Sequence, residues 1–485
     1  MTNSITLIAT IGTRDLMYQI KSGEWYNMGD DRIQDGNNRD IISEQLEVLS
    51  DLGKSSMSYR DLTHFLFENQ AEYALRVRPI ILGKLLEDHL KQIQQVYLIG
   101  TDQDETIQYR TKDTLYACEL IKTWVEQQQP KIDVHVILLG RDGTNPSDFE
   151  RMFEWWSHQW EQTITIPKSH KIWMCVKGGV GQASEAGRIS GLSRYSDRIQ
   201  FFEFEQTPKQ NREGISSVYH GPFLGKNYLW DRTLQQVERR LERFDYVGIQ
   251  ELLKDYQNRQ DVQQVNTLIQ AGIFWNQGQF EDFLKLAISA LNQQQKEQSE
   301  NFWWQAYEEM YLAAVRLKQD NTIEAFLHSF RALEALTVQW ICVHYPQLVE
   351  IPSQGFIKIK KQMTLDTFQQ KTEISNLFYS NGNVTTIKLE SHVRRAILAA
   401  ADANVAQSED LNPLWGSAKN LRDKLSHQIL GISQVEMFHA WGITNKNQWE
   451  KRMLACLNLL SEQRFASLQQ PSLFASVHHR ISQTL

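Results

Sequence analysis

Short apolar runs alternate with longer amphipathic stretches along the front part of the chain. The runs are rich in β-branched and aromatic residues, which is typical of strands covered on both faces. The strands predicted from them are Ile5–Thr10, Val96–Gly100, Asp133–Leu139, Lys171–Val176 and Ile199–Phe204. The stretches of helical periodicity between them are 60–74, 78–92 and 109–128. Strands that alternate with helices predict a mostly parallel sheet, so we expect a Rossmann-like α/β domain here.

The pattern changes after a turn-rich stretch at 206–230, which contains several Gly, Pro, Asn and Ser residues. From residue 231 onward the apolar positions recur with helical spacing, as in the long run TIEAFLHSFRALEALTVQWICVHY. We therefore predict three parts. These are a Rossmann-like ligand-sensing domain at 1–225, a helical connector at 226–310 and an all-α domain at 311–485.

Composition narrows the class of protein. The chain has 485 residues, of which 41% are hydrophobic and 22% charged, as expected for a globular protein of two or three domains. Its formal charge of −7 argues against a protein that coats nucleic acid with a broad basic surface. The four cysteines lie far apart and give no zinc framework, so no metal or cofactor is predicted. No apolar run reaches the length of a membrane span, so a cytoplasmic protein without a membrane partner is expected.

Three predicted strand ends carry small, polar or glycine residues. Ligands of open α/β sheets bind just beyond the carboxyl ends of the strands, where glycines permit close approach and free amides attract anions. The candidate ligand residues are Gly12, Thr13 and Arg14, then Thr101 and Asp102, then Lys177, Gly178, Gly179, Gly181 and Gln182. They predict a site for a phosphorylated ligand, although the glycines alone would also suit tight turns. A dinucleotide fingerprint is poor, because Ser184 stands where the third glycine should be.

The rear helical region contains the sequence Arg422-Asp423-Lys424-Leu425-Ser426-His427. Histidine can move the proton of a ribose hydroxyl near neutral pH, and arginine offers forked donors to a phosphate. At about 100° per residue, five helical steps place the Arg422 and His427 side chains roughly 140° apart, with a rise of about 7.5 Å. We therefore expect another helix or subunit to complete a site built from them. One such spacing is also expected by chance, and Arg331 and Glu334 upstream are interpreted as core-lining residues with a surface salt link.

The combination of motifs resembles a known family. The front domain, with IGTRD after its first strand and KGGVGQ after a late strand, resembles a CARF sensor domain. The helical rear with R-D-x-x-x-H is similar to a HEPN ribonuclease domain. In this order, the two resemble the CARF–HEPN accessory ribonucleases of type III CRISPR systems, over nearly the whole chain.

The resemblance implies a specific activity. A cyclic oligoadenylate would bind across a CARF homodimer through the loop residues named above. It would activate a composite HEPN site, Arg422 with His427, that cuts single-stranded RNA without metal and leaves a 2′,3′-cyclic phosphate. Asp423 occupies the family's polar position, and either an orienting or a merely solvated role stays open. The alternatives are a ligand-responsive transcriptional regulator, or a CARF pocket that also degrades its cyclic oligoadenylate.

Overall fold

The computed structural model describes residues 4–29, 32–33, 42–205, 213–353, 355–369, 371–379 and 384–485. The chain divides into two compact units, Met1–Asp231 and Arg232–Leu485. The predicted boundary between a connector and a rear domain near residue 310 stays a prediction.

A six-stranded sheet forms the centre of the first unit. The strands of this unit are β1 (Ile5–Thr10), β2 (Leu16–Gln19), β3 (Trp25–Asn27), β4 (Arg32–Ile33), β5 (Ile42–Ser43), β6 (Val77–Pro79), β7 (Ile93–Thr101), β8 (Asp133–Leu139), β9 (Lys171–Cys175), β10 (Ile199–Glu205) and β11 (Val218–Leu224). The large sheet has the order β11-β10-β9-β1-β7-β8. All its pairs are parallel except β10 with β11. The five strands predicted from apolar runs are confirmed.

Helices cover both faces of this sheet. They are α1 (Glu44–Asp51), α2 (Tyr59–Glu68), α3 (Gln70–Tyr73), α4 (Gly83–His89), α5 (Leu115–Gln128), α6 (Phe149–Gln162) and α7 (Gly181–Tyr195). Every residue of β1 is buried. Leu7 and Ala9 belong to one hydrophobic core and Ile8 to another, because successive side chains of a strand point to opposite faces.

The predicted helix at 78–92 is wrong over its first part. Residues Val77–Pro79 form β6, an edge strand that pairs antiparallel with β2, and the helix spans only Gly83–His89. Pro79 explains the difference: it has no amide hydrogen to donate, which suits an edge strand, and it disfavours helical geometry in the residue before it.

The second unit is mostly helical. Its helices are α8 (Trp230–Glu242), α9 (Tyr246–Leu253), α10 (Gln260–Asn276), α11 (Phe280–Ala287), α12 (Gln293–Ser299), α13 (Trp304–Lys318), α14 (Thr322–His344), α15 (Lys361–Thr367), α16 (Thr372–Tyr379), α17 (Ser391–Ala401), α18 (Ala403–Gln407), α19 (Asn412–Trp415), α20 (Ser417–His427), α21 (Gln434–Ala440), α22 (Lys446–Ser461) and α23 (Leu473–Thr484). The long helix α14 packs against α13, α17, α20 and α22, and Asn321 caps its first turn by accepting from the Glu324 amide. No helix among the described residues is long and apolar enough to cross a membrane.

The sequence-based prediction missed a small sheet in the second unit. Its strands are β12 (Val349–Glu350), β13 (Lys358–Lys360) and β14 (Thr386–Lys388), paired antiparallel in that order. Strands of two or three residues are too short to leave a periodic signal in the sequence. This small sheet lies beside the cleft that Arg422 lines, because Lys388 of β14 also lines that cleft.

Candidate functional sites

The loops that follow β1 and β9 pack directly against each other at the carboxyl end of the large sheet. The Thr10 hydroxyl donates to the Gly178 carbonyl at 2.6 Å. A Cβ atom added to Gly12 would lie 2.5 Å from the Gly179 nitrogen, and one added to Gly178 would lie 2.6 Å from the Thr10 carbonyl oxygen. Glycine at both positions therefore allows the two loop backbones to touch.

The remaining candidate residues of these two loops lie at the surface of the same edge. Thr13 is half-buried, whereas Arg14, Lys177 and Gln182 are exposed. Gly181 is the first residue of α7, a helix with no acidic residue in its first turn. The free amides at the start of α7 and the nearby Lys177 charge suit an anion.

Asp15 lies buried beneath these loops, and the sequence analysis did not select it. Its Oδ2 accepts from the Gly12 amide at 2.6 Å, while Oδ1 has no hydrogen-bond partner among the described residues. Burial raises the pKa of Asp15 to about 7, although the Gly12 hydrogen bond opposes the rise. Its neighbours Tyr59, Cys118 and Cys175 also have pKa values raised by burial and then by the Asp15 charge. Asp15 thus fixes the loop after β1 through its hydrogen bond with the Gly12 amide.

Asp102, predicted as a ligand residue, is instead bound to two arginines. Arg60 Nη2 and Arg141 Nε lie 2.8 and 2.7 Å from its carboxylate oxygens. Burial opposes ionisation of Asp102, but the hydrogen bonds from Arg141 and Arg60 outweigh it and hold its pKa below the ordinary value. Thr101 is fixed as well, because its amide donates to the Thr114 hydroxyl at 3.0 Å and its hydroxyl accepts from the Thr114 amide. The ion pair between Asp102 and Arg141 therefore fixes the position of the Arg141 side chain.

A cleft of about 880 Å³ opens beyond the carboxyl ends of β7 and β8. Residues lining it include Thr101, Gln103, Tyr109, Lys112, Arg141 and Asn145. Of the predicted ligand residues, all of which are described, Thr101 lines this cleft and the others lie outside its wall. The prediction missed Tyr109, which is 68% exposed, and the cations Lys112 and Arg141. The turn-rich sequence at 140–147, directly after a predicted strand, is a signal that could have identified Arg141.

In the second unit, the predicted helix around Arg422 is present as α20. The Arg422 guanidinium lies over the Phe330 ring at 5.0 Å, with Nη2 4.0 Å from Glu334 Oε1 and Nη1 3.3 Å from Asp423 Oδ1. Its Nε has no hydrogen-bond partner among the described residues. His427 is the last residue of α20 and is exposed. Arg422 is thus held on the inner side of the helix, and His427 lies at its open end.

Asp423 forms two ion pairs on the surface of α20. Its carboxylate lies 3.3 Å from Arg422 Nη1 and 3.3 Å from Lys419 Nζ. The contact with Arg422 favours the orienting role over a merely solvated one.

Glu334 has a different partner from the one the sequence suggested. Arg331 pairs with Glu309 at 2.9 Å, whereas Glu334 pairs with Arg394 at 2.5 Å and approaches Arg422. The interpretation of Arg331 and Glu334 as core-lining residues with a surface salt link is therefore wrong: Arg331 is 62% exposed, and Glu334 does not form a surface salt link. It stands between two arginines, and the Arg394 side chain is only 9% exposed.

A second cleft, of about 580 Å³, opens beside Arg422. Residues lining it include Glu334, Lys388, Arg394, Lys419, Arg422 and Asp423. Forked guanidinium donors there suit a phosphate. Because His427 does not line the cleft, one chain supplies an arginine and a histidine on different sides of α20.

Among the described residues, no group of three or more His, Cys, Asp or Glu side chains is placed to hold a metal ion. The chain matches no family model and no curated protein sequence. In structure it is similar to Enterococcus italicus Csm6 bound to cyclic hexa-2′-fluoro-hexa-dAMP, with a TM-score of 0.56, 12% sequence identity and 100% of both chains covered. The predicted fold class is thereby confirmed: the chain shares the fold of Csm6, with a Rossmann-like α/β part followed by a mostly helical part.

Proposed function

We propose that this chain is an endoribonuclease of CRISPR defence that cuts single-stranded RNA when a cyclic oligoadenylate binds its CARF domain. The fold shared with Csm6, whose structure holds a cyclic hexa-adenylate analogue, supports this class of ligand. The observation on which the proposal chiefly rests is the setting of Arg422. Its guanidinium is oriented by Glu334 and Asp423 at the edge of an open cleft that Arg422 itself lines.

The chemistry follows from the two side chains. Arg422 would stabilise the charge that develops on the scissile phosphate, which is the role for which fixed guanidinium donors are best suited. His427 would remove the proton of the 2′-hydroxyl or return one to the leaving 5′-oxygen. Attack by the 2′-oxygen forms a new bond to phosphorus and expels the 5′-oxygen, so the products are a 2′,3′-cyclic phosphate and a 5′-hydroxyl. No metal ion enters this sequence of steps.

A second copy of the chain would complete the site. Within one chain, Arg422 faces the cleft while His427 is exposed at the end of α20, so both cannot contact one phosphate from the same side. In a two-fold dimer, each His427 would approach the Arg422 site of the partner copy. A two-fold dimer would also present the same loops twice to a ring of adenylates.

Two sets of residues at one edge of the large sheet suit the activator. Lys177 and the free amides of α7 suit phosphates near the β1 and β9 loops. Lys112 and Arg141 add positive charge in the neighbouring cleft, and the exposed Tyr109 ring offers a surface on which an adenine would stack.

The test is RNA cleavage in EDTA with cyclic tetra-adenylate or cyclic hexa-adenylate added. The wild-type chain should cut a fluorescent single-stranded RNA only with an activator, and His427→Ala should abolish cutting while binding the activator normally. His439→Ala, an exposed histidine on α21, is the matched control and should cut at the wild-type rate. Activator-dependent cutting by His427→Ala, or a requirement for added metal, would overturn the proposal.

A further inference from the structure

An exposed aromatic ring stands beside the cleft that contains Arg422. Phe356 is 69% exposed, although phenylalanine is usually buried. Lys388 Nζ lies over the Phe356 ring at 4.8 Å, and both residues line the same 580 Å³ cleft as Arg422. The small sheet β12–β14 therefore presents an aromatic face and a cation next to the proposed catalytic arginine.

The same sheet places a second lysine beside the first. Lys358 and Lys388 are direct cross-strand partners in β13 and β14, so their side chains share one face of the sheet. Ile359 and Ile387, one position along, point to the other face, where Ile359 is fully buried. Two like charges opposite each other destabilise a strand pair. Glu350, opposite Lys358 in β12, offsets part of the repulsion, and an anion beside Lys388 would relieve the rest.

The acidic groups around the cleft leave Lys388 without an ion pair among the described residues. Glu334 is held by Arg394, and Asp423 by Lys419 and Arg422. Glu390, also at the cleft, lies 4.0 Å from His392. Glu350 is the direct cross-strand partner of Lys358, so Lys358 has a carboxylate beside it on the same face of the sheet, whereas the cross-strand partner of Lys388 is Lys358. Across the part of the chain that the structure describes, no carboxylate forms an ion pair with either Lys358 or Lys388. The free positive charge on the wall of the cleft is therefore next to the exposed ring.

We propose that Phe356 and Lys388 bind the RNA substrate, with an unpaired base stacked on the Phe356 ring and the adjoining phosphate held by Lys388. This inference rests on the proposed function and names the surface on which the RNA lies before it reaches Arg422. Any base can stack on an aromatic ring, so the contact is tolerant of sequence. A paired base cannot reach the ring, and the site therefore selects single strands over duplexes.

The closing experiment measures binding separately from cutting. All variants are made in the His427→Ala full-length chain, and binding of a short fluorescein-labelled RNA is followed by anisotropy with and without cyclic hexa-adenylate or cyclic tetra-adenylate. Phe356→Ala should weaken binding of single-stranded RNA about tenfold, and Phe356→Trp should restore it. Ile351→Ala is the matched control: Ile351 is 70% exposed and does not line the cleft, so its truncation should leave binding unchanged.

A salt titration tests the lysine contact. Lys388→Ala should lower the slope of log K against log salt by about 0.7, the value for one phosphate contact on a single strand. Lys451→Ala removes an exposed lysine of α22 and should leave the slope as it is. Melting temperatures within a degree or so of the parent, as expected for exposed positions, show that the variants are folded.

Three results would overturn the inference. They are equal binding by Phe356→Ala and Ile351→Ala, an unchanged salt slope in Lys388→Ala, and duplex RNA that binds as tightly as the single strand. Failure of the proposed function gives a different outcome. If the chain with its native His427 never cuts RNA but Phe356→Ala still weakens single-strand binding, the RNA surface stands and the nuclease assignment falls.

Discussion

Replacing Asp15 with asparagine should make the first unit more stable at neutral and alkaline pH. Asp15 is buried, and its pKa is raised from 3.8 to about 7. The amide keeps an oxygen to accept from the Gly12 N–H but cannot ionise. It is therefore close in shape and charge to the protonated acid, the form that the fold prefers.

The size of the stability change follows from two pKa values of Asp15, its ordinary value and its value in the folded chain. At about 1.4 kcal/mol per pKa unit, the difference between 3.8 and about 7 corresponds to on the order of 4 kcal/mol. Because the folded-state pKa is the higher one, the folded chain binds the proton more tightly. The Asp15 contribution to stability is complete below pH 3.8, declines as the pH rises, and is lost above about pH 7. Between pH 5 and pH 8 the wild-type chain should lose on the order of 3 kcal/mol for this reason.

The assay must report on the first unit alone, since Glu308 in the second unit titrates in the same direction. Burial raises the pKa of Glu308 to about 7, although Trp275, Ser472 and two backbone amides donate to it. Hydrogen exchange of peptides from β1 and β7, at pH 5 and pH 8 with urea, isolates the first unit. Asp15→Asn should flatten the pH dependence of those peptides, whereas Glu308→Gln should leave it unchanged. Equal pH dependence in wild type and Asp15→Asn would refute the reasoning.

Three further predictions concern the two sites. Asp102→Ala removes the carboxylate that holds two arginines, so the activator concentration at half-maximal RNA cleavage should rise about tenfold with an unchanged rate at saturation; an unmoved midpoint would contradict this. Gly12→Ala places a methyl group 2.5 Å from the facing loop and should lower the melting temperature, whereas Gly181→Ala, with no atom within 4 Å, should not. Glu334→Ala leaves the buried Arg394 without its carboxylate and should cost about 3 kcal/mol in urea unfolding, with a smaller loss in Glu334→Gln; equal losses would show that the charge is not the cause.

Five of the six strands of the large sheet could be predicted because their sequences are largely apolar, as is typical of a sheet covered on both faces. The sixth strand, β11, lies in the turn-rich stretch at 206–230 and is mostly exposed, so it has no apolar run that would indicate a strand. The helix predicted at 78–92 is wrong over its first part because apolar periodicity does not reflect the effect of Pro79. Pro79 has no amide hydrogen to donate, which suits the edge strand β6. The strands β12 to β14 were missed because a run such as Lys358–Lys360 is too short for any period to be recognised.

The candidate sites show the same limit at the level of side chains. The Arg422 motif is visible because its residues are neighbours in sequence, and the helix predicted for them is present. Its contact with Glu334 could not be predicted, because α14 and α20 are brought together only by packing. Arg141 was missed for a related reason: its importance depends on an ion pair with Asp102, which appears only when the ends of β7 and β8 are adjacent.

In both candidate sites, carboxylates contact the arginine that would bind a phosphate. In the first unit Asp102 binds Arg141 at 2.7 Å, while in the second Glu334 lies 4.0 Å from Arg422 and Asp423 lies 3.3 Å from it. A carboxylate limits the rotamers of the arginine and so lowers the entropy lost when phosphate binds, but it also competes for the same donors. The longer distances around Arg422 leave its Nη donors available to a phosphate that gains charge during reaction. The tight pair at Arg141 suits a site that binds a ligand, and the looser set at Arg422 suits one that stabilises a transition state.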